Sequence, residues 1–175
     1  FENASTYLGN DFQLNKKLIF PYAQVNMNYN IGKSKRIWVN YEYIVNMPRA
    51  NQLLPVENLA NPLNTFRGNP NIDLIKNHNV YFNFNNFDYA TRTGYTFYCG
   101  GDYYDNQIAS STTFDANGKR TTTYENVTGT IESWFGGHWN KSYKDEAHVF
   151  KFNVGVNMGY DKSKGFTNGE QYVAD

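Results

Sequence analysis

Hydrophobic and polar residues alternate strictly near the end of the chain, where residues 148–160 read "HVFKFNVGVNMGY". Every second residue from Phe150 to Tyr160 is apolar or aromatic, and the residues between them are Lys, Asn or Gly. Successive side chains of a β-strand point to opposite faces, so this alternation predicts a strand with one apolar face and one polar face.

The same alternation recurs along the chain. The predicted strands cover residues 17–30, 36–46, 78–87, 93–109, 121–139 and 147–161. Turn sequences join consecutive strands, and there is no helical crossover pattern that would favour a parallel sheet. The expected fold class is therefore all-β, an antiparallel up-and-down meander of about six long strands.

The connections between these strands alternate in length. The turns at 30–36, 88–92 and 140–146 are short, whereas the loop at 47–76 and the hairpin at 110–120 are longer. In a meander, this alternation places the short turns on one edge of the sheet and the long loops on the other. Outer-membrane β-barrels have short periplasmic turns and long extracellular loops, so residues 47–76 are expected to be extracellular.

Composition favours lipid over a second sheet as the cover of the apolar faces. Charged residues make up 18% of the 175 residues, net charge is zero, and the polar faces carry mostly Asn, Gly, Thr and Tyr. The stretch from Phe150 to Tyr160 is about 33 Å long at ~3.3 Å per residue and rises about 25 Å when tilted by roughly 40°, the height of a lipid-facing band. Six strands do not close a membrane barrel, for which about eight are needed, so a sector of a larger transmembrane barrel is expected.

Other functional classes have less support. A soluble carbohydrate-binding β-sandwich is the main alternative, since Trp38, Trp134 and Trp139 could stack on sugar rings. Neutral charge gives no reason to expect nucleic acid. The chain has none of the common catalytic motifs, one cysteine and three dispersed histidines. We therefore expect no enzyme activity, no catalytic residues, no metal site and no cofactor.

The long loop carries the most specific motif. Residues 53–72 read "LLPVENLANPLNTFRGNPNI", with Asn61-Pro62 followed by the Gly68–Ile72 stretch "GNPNI". The upstream Phe20-Pro21 with Tyr29, and the downstream Tyr124, Asn126 and Gly129, complete the pattern. In order and spacing, residues 18–160 resemble TonB-dependent-receptor-like outer-membrane β-barrel proteins of Gram-negative bacteria. One departure is "DLI" at 73–75, where the family usually has Pro-Glu.

The resemblance implies that the chain is a segment of barrel wall taking part in nutrient uptake across the outer membrane of a Gram-negative bacterium. Substrates of such receptors include iron chelates, glycans and peptides. The implied partners are outer-membrane lipid and, outside this segment, a plug domain and a TonB-type energy-coupling protein of the inner membrane.

Candidate ligand-binding residues follow from the alternation and from the loop. The charged residues expected on the lumen side include Glu42, Asp102, Glu132 and Lys151. The outer loop contributes Arg49, Arg67 and Asn69.

Overall fold

The computed structural model describes residues 2–7, 10–15, 19–58, 61 and 63–175, with side chains from residue 19 onward apart from that of residue 58. The elements in chain order are β1 (Glu2–Tyr7), β2 (Asn10–Asn15), β3 (Ala23–Ile31), β4 (Lys35–Asn46), α1 (Ala50–Leu53), β5 (Glu57–Asn58), β6 (Asn64–Arg67), β7 (Ile75–Asp88), β8 (Thr93–Phe114), β9 (Arg120–Val127), β10 (Thr130–Lys144), β11 (Val149–Thr167) and β12 (Glu170–Ala174). Within the described residues, no helix has the length and apolarity needed to cross a membrane.

Six long strands form the wall of the molecule in the order β3-β4-β7-β8-β10-β11, each antiparallel to its neighbours. The all-β antiparallel meander predicted from the sequence is therefore confirmed. The short turns share one edge and are hydrogen-bonded to neighbouring strands. Phe87 N donates to Ser34 O at 3.0 Å, and Ser142 N donates to Arg92 O at 3.1 Å. Strands β1 and β2 form a separate two-stranded sheet.

Several strand boundaries differ from the predicted ones. The first wall strand begins at Ala23 rather than near residue 17, because residues 19–22 are not in a strand and include Pro21, which has no backbone donor for a ladder. Residues 17 and 18 of that predicted strand lie outside the described residues. Strands β8 and β11 extend to Phe114 and Thr167, beyond the predicted ends at 109 and 161.

The predicted strand at 121–139 is two strands, β9 and β10, separated by Thr128 and Gly129. Gly129 has a φ of 72°, which lies in the left-handed region that glycine adopts without a steric penalty. The break leaves the register unchanged, since Val127 lies opposite Gln107 and Thr130 lies opposite Tyr104, both on β8. The two strands therefore form one interrupted partner of β8.

The long loop is more ordered than its sequence predicts. Residues 47–76 were predicted as one long loop, but they contain α1, β5, β6 and the first residues of β7. β6 pairs in parallel with β9, from Asn64 opposite Arg120 to Phe66 opposite Thr122. The segment is therefore held by a strand more than fifty residues away in sequence, a pairing that local sequence patterns do not reveal.

The buried side chains lie at the long-loop end of the sheet. Leu53, Thr65 and Val127 are 1%, 0% and 2% exposed. Among the described residues, the buried side chains other than Asn86 fall in residues 45–74 and 109–130. We call these two segments the cap. The cap is a small water-excluding core, whereas the wall beneath it is a single layer.

Strand register sorts the wall into two faces. On one side, apolar residues of all six strands line up in rows. The row through the middle of the wall is Met27, Val39, Phe82, Cys99, Phe135 and Met158. We call this side the apolar face. Its outer strands are open, with Val25 62% and Val154 60% exposed, and no second sheet covers it within the described part of the chain.

β8 forms a hairpin with β9 and β10, and the strands that flank this hairpin differ between the wall and the cap. In the wall, β11 lies beside β10, as in the pairing of Ile131 with Lys162. In the cap, β11 lies beside β8, where Phe166 is opposite Ser111, and β6 lies beside β9. The hairpin must therefore twist strongly between the two regions, as two-stranded ribbons do.

Substitution on the two sides of β11 should have unequal effects. Val154 lies on the apolar face opposite Trp139, and its neighbour Asn153 lies on the other side opposite Asn140. Val154→Arg should lower the free energy of unfolding in lipid bilayers by roughly 2–4 kcal/mol, because a charge would face hydrocarbon. Asn153→Arg is the matched control and should be tolerated. Equal losses at both positions in denaturant titrations would contradict the assignment of the faces.

Candidate functional site

The side of the wall opposite the apolar face, which we call the polar face, is lined mainly by amides, glycines and aromatic rings. Two adjacent rows cross it from β3 to β11. They are Asn26, Asn40, Tyr81, Gly100, Trp134 and Gly159, and then Asn28, Trp38, Asn83, Tyr98, Gly136 and Asn157. Neither row contains a charged residue. The polar face is thus hydrophilic with little fixed charge over the middle of the wall.

Aromatic rings on the polar face lie against glycine neighbours. A Cβ atom added to Gly100 would come within 2.8 Å of the Trp134 ring, and one added to Gly136 would come within 2.7 Å of the Tyr98 hydroxyl. The ring of Tyr98 also packs against His138, with ring centroids 5.7 Å apart, and its hydroxyl donates to Asn157 Oδ1. The glycines therefore leave room for the rings to lie across the sheet.

Three predicted lumen residues come together in one row. Glu42, Asp102 and Glu132 lie at the same level of the sheet, on β4, β8 and β10. Asp161 of β11 lies opposite Glu132 and completes an acidic row that sequence analysis only partly found. Gln24 Nε2 donates to Glu42 Oε1 at 2.6 Å.

Neighbouring amides also hold the second carboxylate of the acidic row. Asp102 Oδ1 accepts hydrogen bonds from Asn77 Nδ2 at 2.8 Å and from Asn79 Nδ2 at 3.0 Å. These amide donors orient the carboxylate without neutralising it. The acidic row thus lies at the cap end of the polar face. Within the described residues, no group of three or more His, Cys, Asp or Glu side chains has a metal-binding arrangement.

The remaining lumen candidate, Lys151, is not part of this row. It lies opposite Ser142 at the short-turn end of the wall, at the other end of the strands from Glu132. The polar face is therefore basic at one end and acidic at the other, rather than having one cluster of charged residues.

Two of the three predicted loop residues meet in the cap. Arg67 and Asn69 line an open cavity of ≈ 430 Å³, together with Pro55, Pro70, Thr121 and other residues of the loop and β9. The side chain of Arg67 is exposed and has no hydrogen bond or ion pair with any described residue, so its guanidinium is free for a ligand. Arg49 does not line this cavity; its backbone N–H donates to Gln52 Oε1 at 2.9 Å beside α1.

Asn69 has a structural role. Its Nδ2 donates to Tyr124 O at 2.8 Å, and its Oδ1 accepts from Asn71 N at 2.9 Å. One side chain thus joins the loop to β9 and closes the turn that follows Gly68. This explains why the "GNP" sequence stands at this point of the loop, and it leaves Arg67 as the better ligand candidate.

His78 has no role that the sequence pattern predicts, but the structure places it at the centre of a contact network. Its Nδ1 is 2.9 Å from the Tyr41 hydroxyl and its Nε2 is 2.9 Å from Asp105 Oδ2. The ring also packs against Tyr43, with centroids 4.8 Å apart. The network ties β4, β7 and β8 together where the apolar face meets the cap. Its partners are distant in sequence, so only the strand register reveals it.

The wall is a single sheet with one apolar and one polar face, and its short and long connections lie on opposite edges. These features define a segment of transmembrane β-barrel wall. A model of the Outer membrane protein beta-barrel family matches residues 2–174, and the chain belongs to this family of bacterial outer-membrane proteins. No curated protein and no solved structure matches the chain significantly. The apolar face is accordingly the lipid side of the wall, and the polar face is the lumen side.

The space beside Gly100 gives a stability prediction. Gly100→Ala should push the Trp134 ring away from the sheet and lower the free energy of unfolding by about 1–3 kcal/mol, as overpacking does. Gly159→Ala is the matched control, because its added Cβ would meet only Ser133 O, at 3.6 Å. Tryptophan fluorescence and thermal unfolding in detergent measure both effects. Indistinguishable unfolding of the two variants would contradict the close packing at Gly100.

The different roles of Asn69 and Arg67 can be separated by stability measurements. Asn69→Ala should destabilise the cap by about 1–3 kcal/mol, because a partly buried carbonyl loses its donor. Arg67→Ala, two residues away, should leave stability unchanged. Limited proteolysis of the loop reads out the difference. Similar cleavage rates in both variants would show that the Asn69 bridge does not hold the cap.

Proposed function

We propose that the chain forms part of the wall and extracellular cap of a TonB-dependent-receptor-like transporter, which takes up a nutrient across the outer membrane of a Gram-negative bacterium. The observation that supports this best is the lumen side of the wall. Amides, hydroxyls and aromatic rings line it, and its central rows carry no charge. Such a lining can hydrate a passing solute and contact it weakly many times without trapping it.

The cap supplies the ligand-contacting groups of this proposal. The free guanidinium of Arg67 at the open cavity can bind a carboxylate or a hydroxyl-rich ligand. The acidic row at Glu42, Asp102 and Glu132 follows on the lumen side below the cap. A single cation above an acidic row would favour some solutes over others by their charge at the entrance. An iron chelate, a glycan or a peptide is the substrate class, in keeping with the resemblance of the long loop.

The proposed transporter needs further parts that lie outside the described sheet. β3 and β11 are the outer strands of the wall. Among the described residues, β3 has no strand on its free side, and the free side of β11 is paired only at Ser163–Thr167, with β12. Unpaired strand edges do not occur in hydrocarbon, so additional strands complete the barrel. A plug domain fills the lumen, and a TonB-type protein of the inner membrane supplies energy. The wall segment itself has no catalytic step.

A soluble carbohydrate-binding sandwich is less well supported. Such a module would cover Phe152 and Val156 with a second sheet, but these residues are 52% and 57% exposed. Membership of an outer-membrane barrel family favours lipid, rather than a second sheet, as the cover of the apolar face.

Energy-dependent uptake tests the proposal. Cells that depend on the full-length protein should take up one labelled substrate from a panel of iron chelates, oligosaccharides and peptides. A protonophore should abolish that uptake. Arg67→Ala should reduce uptake at low substrate concentration severalfold, and Arg49→Ala, the matched control in the same loop, should not. Uptake that is unaffected by the protonophore would identify a passive pore instead.

A further inference from the structure

We propose that the short-turn rim of the wall contains a binding site for the phosphate of an anionic lipid headgroup, built from Arg92, Lys141 and Lys144. The site is a cavity of ≈ 350 Å³. Its lining residues are Ala90, Thr91, Arg92, Lys141, Ser142, Tyr143 and Lys144. It contains three cations and three hydroxyl groups but no carboxylate. This composition matches a phosphodiester, which offers only acceptor oxygens and negative charge.

The turn holds one cation of the cavity, Lys141, in place. Lys141 Nζ donates to Thr91 O at 2.6 Å and to Thr93 Oγ1 at 2.9 Å, which fixes the ammonium group against the turn. Arg92 has a φ of 50°, a left-handed conformation that is unusual for arginine, and its carbonyl accepts from Ser142 N. The cavity therefore has one fixed cation, Lys141, and a fixed backbone at Arg92.

Two of the three cations have no protein partner. Among the described residues, neither Arg92 nor Lys144 takes part in a salt bridge or a side-chain hydrogen bond. The carboxylate of the turn that carries Arg92, Asp88, is occupied by the turn itself. It accepts from Thr91 Oγ1 at 2.8 Å and from Ala90 N at 2.9 Å, and it does not line the cavity. Both free cations are thus available to an external anion.

The position of the cavity argues for a lipid rather than a free anion. Tyr143 lines the cavity and also packs edge-on against Phe152 of the lipid side, with ring centroids 5.9 Å apart. Lys141 Nζ lies 5.4 Å from the Tyr143 ring centroid. Aromatic girdles of barrels lie at the membrane interface, level with headgroups. By strand register Lys141 and Tyr143 belong to the apolar face and Lys144 to the polar face, so the cavity spans the end of the strands. A lipid bound here would place its phosphate in the cavity and its chains along the apolar face.

Charge along the whole rim favours the same partner. Within residues 19–175, the short-turn end carries seven basic and three acidic side chains. The basic residues are Lys33, Lys35, Arg36, Arg92, Lys141, Lys144 and Lys151, and the acidic ones are Asp88, Asp145 and Glu146. Short turns face the periplasm, so this end meets the inner leaflet of the membrane. A positive rim attracts anionic headgroups there.

Native mass spectrometry of the full-length protein tests the proposal. Delipidated protein in detergent is titrated with phosphatidylglycerol, and the double variant Arg92→Asn with Lys144→Gln is compared with wild type. Asn suits the positive φ at residue 92, so the turn can be kept. The double variant should bind phosphatidylglycerol about tenfold more weakly, because two charge-assisted contacts are lost. Lys162→Gln, at the opposite end of the lipid side, should bind like wild type.

Three outcomes would overturn the proposal. One is equal affinity of wild type, double variant and control for phosphatidylglycerol. Another is displacement of the lipid by an equal concentration of inorganic phosphate, which would identify a free-anion site. The third is equally tight binding of uncharged diacylglycerol, which would show that the chains alone determine binding. Circular dichroism and heat-dependent gel mobility identify any variant that fails to fold. The lipid-site proposal does not depend on the proposed uptake function, so the test of one can fail while the test of the other succeeds.

Discussion

Backbone hydrogen bonding in a medium without water is the constraint on which the rest of this structure depends. Inside hydrocarbon, every N–H and C=O must find a partner within the protein, and a paired sheet is one of only two ways to achieve this. Pairing in turn fixes register. The register aligns Val39 with Phe82, and Phe135 with Met158, so that six separately alternating strands become one continuous apolar surface. A slip of one residue would exchange lipid and lumen sides along a whole strand.

Because the wall is a single layer, most of its apolar side chains are not buried against protein. Among the described residues, hydrophobic side chains are buried against protein in the cap alone, where Leu53 and Val127 are almost fully enclosed. The wall and the cap are therefore stabilised in different surroundings. The wall is stabilised by transfer of its apolar face into lipid, and the cap by ordinary hydrophobic burial in water.

Much of the wall could be predicted from the sequence because a period of two is a local signal that each strand carries by itself. The order of strands followed from short turns, and the face of each residue followed from alternation. The cap could not be predicted in this way, since β6 and β9 are brought together by a parallel pairing between distant segments. The acidic row was found in part, but Asp161 was missed because its level on the sheet depends on the register of β10 with β11. The lipid headgroup cavity was missed because Arg92 and Lys144 come from different turns.

The exchange of neighbours by the hairpin has a mechanical consequence. Both flanks of its tip are held, by β6 on one side and by the end of β11 on the other. The tip of this hairpin is therefore attached on both sides and cannot rotate away from the cap as a rigid unit about a flexible hinge. Widening the entrance would instead require untwisting the ribbon, and torsion applied outside the membrane would pass through β8 and β10 directly into the barrel wall.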